Sequence, residues 1–293
     1  MRTIRGHWFG HFVCAAIAFA LAGDCFASAF VRGAYYQLGD ADPGATAGAV
    51  GNNPTLDSFS DNRHLNRFGS PHYSGDVPSL GPAGNKLSMA FANQGLGGPA
   101  FPGLYGGAPM PMVEQGLALE AWVKAGPTNL DSIRDEMVAF NGQSTLNGFG
   151  FFLFGENYVL RLGSPDVPVG GPGGTGRPFE VVLGPADVGA WHHLAYVRSL
   201  GTSSYYYDGR LVAESNTHPA PAVATEGFFL GGQPSEETPL NPFNGWVDEV
   251  RYQTFNPLAA GSFNPTAFLI VPEPAALAPL LCAAVAVLTR RRG

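Results

Sequence analysis

The chain has 293 residues, of which 45% are hydrophobic and 13% charged, and its formal net charge is −7. That is enough apolar material for one sizeable core, and an aromatic content of 12% excludes an intrinsically disordered chain. The 40 Gly and 25 Pro residues follow no three-residue period, which excludes collagen and points to tight turns between short strands.

The chain opens MRTIRGHWFGHFVCAAIAFALAGDCFASA. Arg2 and Arg5 precede an apolar stretch from Phe12 to Ala22, and Ala27-Ser28-Ala29 supplies a small-x-small ending. This pattern predicts a secretory signal peptide over residues 1–29, recognised through Ala27 and Ala29 and cut by signal peptidase after Ala29. Asp24 stands before Cys25, where a lipoprotein signal needs a small residue. A single domain is then expected over residues 30–262. Its core must hold without disulfides, because Cys14, Cys25 and Cys282 all fall outside residues 30–270. The same spacing removes thiolate zinc sites. Setting aside Arg2, Arg5, Arg290, Arg291, Arg292, Asp24 and Glu273 leaves 11 basic residues against 21 acidic ones. An acidic domain of this kind excludes a nucleic-acid partner and suits metal ions, neutral glycans or proteins.

Within the domain, Asn93 to Met112 reads as a loop on its Gly and Pro content. Leu117 to Lys124 alternates as a half-buried strand. Phe149 to Phe154 and Tyr158 to Leu162 flank Gly155-Glu156-Asn157 and form a hairpin, and a second loop runs from Gly163 to Pro178. Further strands are expected at Glu180 to Leu183 and Trp191 to Arg198. Tyr205-Tyr206-Tyr207 and Arg210-Leu211-Val212 then flank Asp208-Gly209, a pair suited to the positive φ angles of a type I′ turn. Strands at Phe228 to Leu230 and Trp246 to Tyr252 close the series. No internal repeat occurs, so a propeller or solenoid is disfavoured, and the fold class is all-β, an antiparallel sandwich.

Residues 263–293 form a separate tail. The run Ala275 to Leu288 spans roughly 21 Å as a helix, short of the ~30 Å hydrocarbon core, and Pro279 weakens its start. Arg290, Arg291 and Arg292 would stay on the cytoplasmic side. The order Val271-Pro272-Glu273-Pro274, apolar helix 275–289, Arg290-Arg291-Arg292 resembles the PEP-CTERM sorting signal of Gram-negative, exopolysaccharide-producing bacteria. The resemblance covers residues 271–293. It implies transient insertion in the inner membrane through the helix, processing by an exosortase, and delivery to the cell surface or extracellular matrix.

The domain resembles the laminin G-like, concanavalin A-like jelly roll. The matching pieces are LALEAWVKA (117–125), AWHHLAYVRS (190–199), SYYYDGRLVAES (204–215), FFLGGQP (228–234) and FNGWVDEVRYQTFNP (243–257), so the core motifs span 117–257. Tyr36-Gln37-Leu38-Gly39-Asp40 and Leu87-Ser88-Met89-Ala90-Phe91 resemble the first strands of such domains. The fold hosts glycan binders, adhesion modules, pentraxin-like proteins and glycosidases, so it does not by itself fix function.

Glycosidases of this fold carry carboxylates at E-x-D-x-x-E spacing along one strand, so that acid and nucleophile share a face. Here the nearest pair on an expected strand is Asp248-Glu249, and strict alternation would point its members to opposite faces. No G-x-S-x-G, H-E-x-x-H or P-loop occurs. No catalytic residue is therefore assigned. Alternation also separates His192 from His193, and a hydrogen-bonded strand histidine is the expected role of each. Relatives of the fold hold Ca²⁺ at the sandwich rim through Asp side chains and carbonyls, which makes Asp208 and Asp248 the calcium candidates. No cofactor is otherwise required. Tyr205, Tyr207 and Trp246 are the candidates for stacking a sugar ring. The function expected is an exported, non-enzymatic binding or adhesion module for a glycan or surface protein. A glycoside hydrolase or lyase acting on matrix polysaccharide and a purely structural matrix protein are the alternatives.

Overall fold

A computed structural model describes residues 30–59, 61–91, 103–112, 116–127, 134–143, 147–163, 179–234 and 241–258. The signal peptide, the sorting tail, residues 164–178 and the domain limit at 262 lie outside the described residues. In chain order the strands are β1 (Phe30–Tyr36), β2 (Asn66–Gly69), β3 (His72–Ser74), β4 (Ser88–Ala90) and β5 (Gly103–Gly107). Next come β6 (Gly116–Ala125), β7 (Asp135–Asn141), β8 (Phe149–Phe154), β9 (Asn157–Leu162) and β10 (Phe179–Pro185). The series ends with β11 (Trp191–Ser199), β12 (Thr202–Tyr207), β13 (Arg210–Ser215), β14 (Phe228–Leu230) and β15 (Gly245–Phe255).

These strands make the expected all-β antiparallel sandwich. One sheet has eight strands in the order β13-β12-β11-β6-β15-β4-β3, with β1 also paired to β15. The other has seven, β10-β9-β8-β7-β14-β5-β2. On β6 the period of two decides which residues enter the core. Leu117, Leu119, Ala121, Val123 and Ala125 join the cluster between the sheets, which also holds Phe149, Phe151, Tyr158, Tyr196 and Tyr252. Each fully buried side chain of this size contributes about 1.5 to 3 kcal/mol. The other β6 positions, Ala118, Glu120, Trp122 and Lys124, stand on the outer face.

The second expected hairpin forms as its turn chemistry requires, with Asp208 at φ 48 and Gly209 at φ 72. The expected loop from Asn93 to Met112 differs: Gly103–Gly107 is a strand, held between β14 and β2. Its glycines are there because neighbouring groups lie against the backbone. A Cβ on Gly106 would meet the Phe229 ring at 2.7 Å. A strand with only two side chains beyond glycine, Leu104 and Tyr105, cannot show alternation, so composition reads it as a loop.

Residues 30–91 add strands to both sheets. On its far side β15 pairs with β4 near Trp246 and Val247, then with β1 from Val250 to Phe255. Between these, its register with β6 slips from Asp248 to Arg251, and Glu249 adopts φ 51. The outermost strands are short or irregular. β3 and β2 have three and four residues, β13 is bulged opposite Tyr205/Tyr206 and β10 at Val182/Gly184, and β1, paired only with β15, is irregular between Phe30 and Arg32.

Candidate functional site

Chemistry-bearing side chains gather on the outer face of the eight-stranded sheet. Cross-strand pairing sets Trp191 beside Lys124 and Lys124 beside Trp246, so the three form a row over β11, β6 and β15. The next row holds His193, Trp122 and Asp248. Lys124 Nζ lies 5.1 Å from the centre of the Trp246 ring, and the Trp122 and His193 rings are 5.2 Å apart. Trp191 and Trp246 are half-buried and Trp122 is buried. The indole nitrogens of Trp122 and Trp246 have no hydrogen-bond partner among the described residues.

The connection from β3 to β4, residues 75–87, crosses this face as a strap. Asp76 accepts a hydrogen bond from Trp191 Nε1 at 2.9 Å and pairs with Lys124. Asn85 Nδ2 donates to Asp248 Oδ2 at 2.7 Å.

A polar chain continues across the sheet from the second row. His193 Nε2 lies 3.2 Å from Glu120 Oε2, and Glu120 Oε1 pairs with Arg251 Nε at 3.2 Å. The Arg251 guanidinium sits 4.9 Å over the Tyr35 ring, and the Tyr35 hydroxyl donates to Glu249. The Glu249 amide donates to Asp248 Oδ1 at 2.9 Å. The β15 bulge makes this possible. By inserting a residue between Asp248 and Arg251 it interrupts alternation, and Glu249 reaches Tyr35, which stands opposite Arg251 on the outer face. The expectation that Asp248 and Glu249 face apart is thereby corrected. Burial, followed by repulsion from Glu249, holds the Asp248 carboxyl well above the usual carboxylate range. Burial also raises Glu249, against the hydrogen bond from Tyr35.

The histidine pair is split as expected. His192 stands opposite Val123 on the inner side and His193 opposite Trp122 on the outer. Both are buried and bonded. His192 Nδ1 lies 3.0 Å from Asp208 Oδ2 and 2.6 Å from the Tyr207 hydroxyl, and its ring stacks on Tyr207. Burial opposes ionisation of Asp208, but the hydrogen bonds from His192 and the His193 amide outweigh it and hold the carboxyl low.

Of the sugar-stacking candidates, Tyr205 is fully buried in the core and offers no face. Tyr207 is half-buried, with one face on His192 and its hydroxyl on Pro185 O. Of the three, Trp246 alone stands on the outer face, where Trp191 shares its row and Trp122 lies in the next. Those two were legible as outward positions by counting alternate residues from the apolar members of their strands. Neither calcium candidate fits a hard cation. Both oxygens of Asp208 are engaged by His192 and His193, and those of Asp248 by Asn85 and the Glu249 amide. Among the described residues no three His, Cys, Asp or Glu side chains are grouped to hold a metal.

A family model described as the concanavalin A-like lectin/glucanases superfamily matches residues 106–255, just over half of the chain. No curated protein matches the sequence. Among solved structures, domain 4 of AbnA, a GH43 extracellular arabinanase from Geobacillus stearothermophilus, was determined in complex with arabinotriose. It is similar over 76% of this chain and 91% of its own, with TM-score 0.51 and 15% identity. The botulinum neurotoxin serotype D binding domain overlaps 78% of this chain and 49% of its own, with TM-score 0.49 and 8% identity. The chain thus spans about half the length of that binding domain.

Proposed function

The chain belongs to the concanavalin A-like lectin/glucanase superfamily, and from that premise we propose that it is a non-catalytic glycan-binding module whose sugar face is the row Trp191–Lys124–Trp246. The observation that carries this reading is the pair of half-buried indoles flanking one lysine on an outer sheet face. Aromatic faces stack on sugar rings. The arabinotriose held by the arabinanase domain is consistent with it. The test is an array of neutral and acidic polysaccharides probed with the exported chain, with calcium and with chelator. Trp246→Ala is expected to weaken binding by about tenfold, the scale of ~1.5 kcal/mol for one stacked ring, while Tyr205→Phe, altered inside the core, leaves it unchanged. Binding equal in the two variants would sink the reading.

One observation favours a hydrolytic second reading: Asp248 and Glu249 share a face, and both carboxyls are raised. Against it, the two are 0% and 1% exposed, which leaves a sugar ring no access. Release of reducing ends from matrix polysaccharide, lost in Glu249→Gln, would establish it.

We further propose that the module works outside the cell. Signal peptidase would remove residues 1–29, and an exosortase would process the tail at Val271-Pro272-Glu273-Pro274. Mass spectrometry of the exported protein is expected to find no Arg290, Arg291 or Arg292. An intact C-terminus would refute sorting while leaving the glycan reading standing.

A further inference from the structure

The strap of residues 75–87 is fixed to the tryptophan face at two ends. At its start Asp76 binds Trp191 and Lys124. At its end Asn85 binds Asp248, and Asp40 accepts the Lys86 amide at 2.9 Å. Between these anchors the chain turns on itself, through Gly81 N to Pro78 O and Asn85 N to Pro82 O, with Gly84 at φ 92. Pro78 is buried while Leu80 is 59% exposed. The strap therefore rests on the sheet through side chains from its two ends, and adds no strand pairing of its own beyond β3 and β4.

The Asn85 anchor meets an unusual partner. Asp248 is 0% exposed, and no Lys, Arg or His nitrogen among the described residues forms an ion pair with it. The charged and titratable groups around it come from each element packed against it. Glu249 and Arg251 lie on its own strand, and Glu120 and Lys124 on β6. His193 comes from β11, Tyr35 from β1, Asp40 from the turn after β1, and Asp76 and Lys86 from the strap. Lys124 is engaged by Asp76 and Arg251 by Glu120; burial, Glu249 and Asp40 disfavour the Asp248 charge, and the N–H bonds from Asn85 and Glu249 offset them only in part.

A buried carboxyl without a cation keeps its proton or regains water. With the proton, the Asp248 hydroxyl can donate to Asn85 Oδ1, which has no partner in the present amide orientation. Turning the Asn85 amide over pairs that oxygen with the hydroxyl. Without the proton, Asn85 Nδ2 still donates, but a full charge is sealed beside Glu249, and lifting the strap is what hydrates it. We propose that the 75–87 strap is a gate over the tryptophan row, held shut through Asn85 by a protonated Asp248 and opened when that proton leaves. The consequence for binding rests on the tryptophan row being the sugar face; the gate itself does not.

The test is acrylamide quenching of tryptophan fluorescence in the full chain carrying Trp8→Phe, so that only Trp122, Trp191 and Trp246 emit. The quenching constant is expected to rise about threefold between about pH 5 and about pH 9 as the strap opens locally. Asp248→Asn should keep it low and flat. Asp76→Asn, which loosens the other anchor, should raise it at both pH values. A flat profile in the parent, or an unchanged rise in Asp248→Asn, overturns the gate. So does a strap closed at high pH by added calcium only while Asp248 is present, since a metal would then hold the latch. A gate that opens while no polysaccharide binds at either pH overturns the sugar face and leaves the gate intact.

Discussion

Glu120→Ala is expected to lower the melting temperature by roughly 10 °C, the scale of about 3 to 5 kcal/mol for removing one member of a buried ion pair. Glu120 is 3% exposed and sits between two cationic or polar partners, His193 on β11 and Arg251 on β15. It therefore ties three adjacent strands together at mid-sheet. Alanine leaves the Arg251 charge without its carboxylate and His193, 1% exposed, without its Nε2 partner. Glu120→Gln keeps the side-chain volume and one acceptor, so its loss should be smaller. Thermal unfolding followed by circular dichroism measures both. A change within about 2 °C for Glu120→Ala would mean that the chain from His193 to Asp248 is incidental to stability.

The second large effect is a stability that declines with rising pH. Asp248 holds its proton more tightly folded than unfolded, because burial and then Glu249 penalise its charge, and Glu249 is raised in the same direction. Below about pH 4 both states are protonated and the contribution is complete. As pH climbs toward the raised folded value, the unfolded chain releases protons that the folded one retains, and stability falls. Asp208 has the opposite sign, since its lowered carboxyl supports the fold at neutral pH and fails only in acid. Asp248→Asn should flatten the alkaline limb and melt several degrees above the parent near pH 9. Once the Asn85 amide turns over, its Oδ1, which has no partner now, would accept from the added amide. A variant that melts below the parent across that limb would show that the carboxylate is stabilised by something other than a proton.

Much of this fold was readable from local signals. Alternation in LALEAWVKA and the Asp208-Gly209 turn are set within a few residues, and the corresponding strands and hairpin formed where expected. β5 was hidden because GLYGG has almost no side chains to alternate. β2 and β3 were hidden because strands of four and three residues carry too little pattern. The site was partly legible: Glu120 is a lone carboxylate inside an apolar strand, at the same parity as Trp122 and Lys124. The meeting of Asp248 with Glu249 was not, because it depends on the register slip against β6, which no single strand encodes. Nor was the strap, whose Gly- and Pro-rich sequence says only that it is a turn; its place is decided by Asp76 and Asn85 reaching residues 48, 115 and 163 positions away.

The irregular rims of the two sheets limit how copies of the chain can associate. A long straight rim is a template on which a neighbouring copy can add its own strand. Here bulges bend the β13 and β10 rims away from that geometry, β3 and β2 stop after three or four residues, and β1 is irregular between Phe30 and Arg32. Val182, Leu211 and Val212 can then stay exposed at 60%, 52% and 43% without seeding fibrils. Copies can then lie side by side as separate particles, and if the tryptophan row is the sugar face proposed above, cohesion between them would come from a shared polymer rather than from strand pairing.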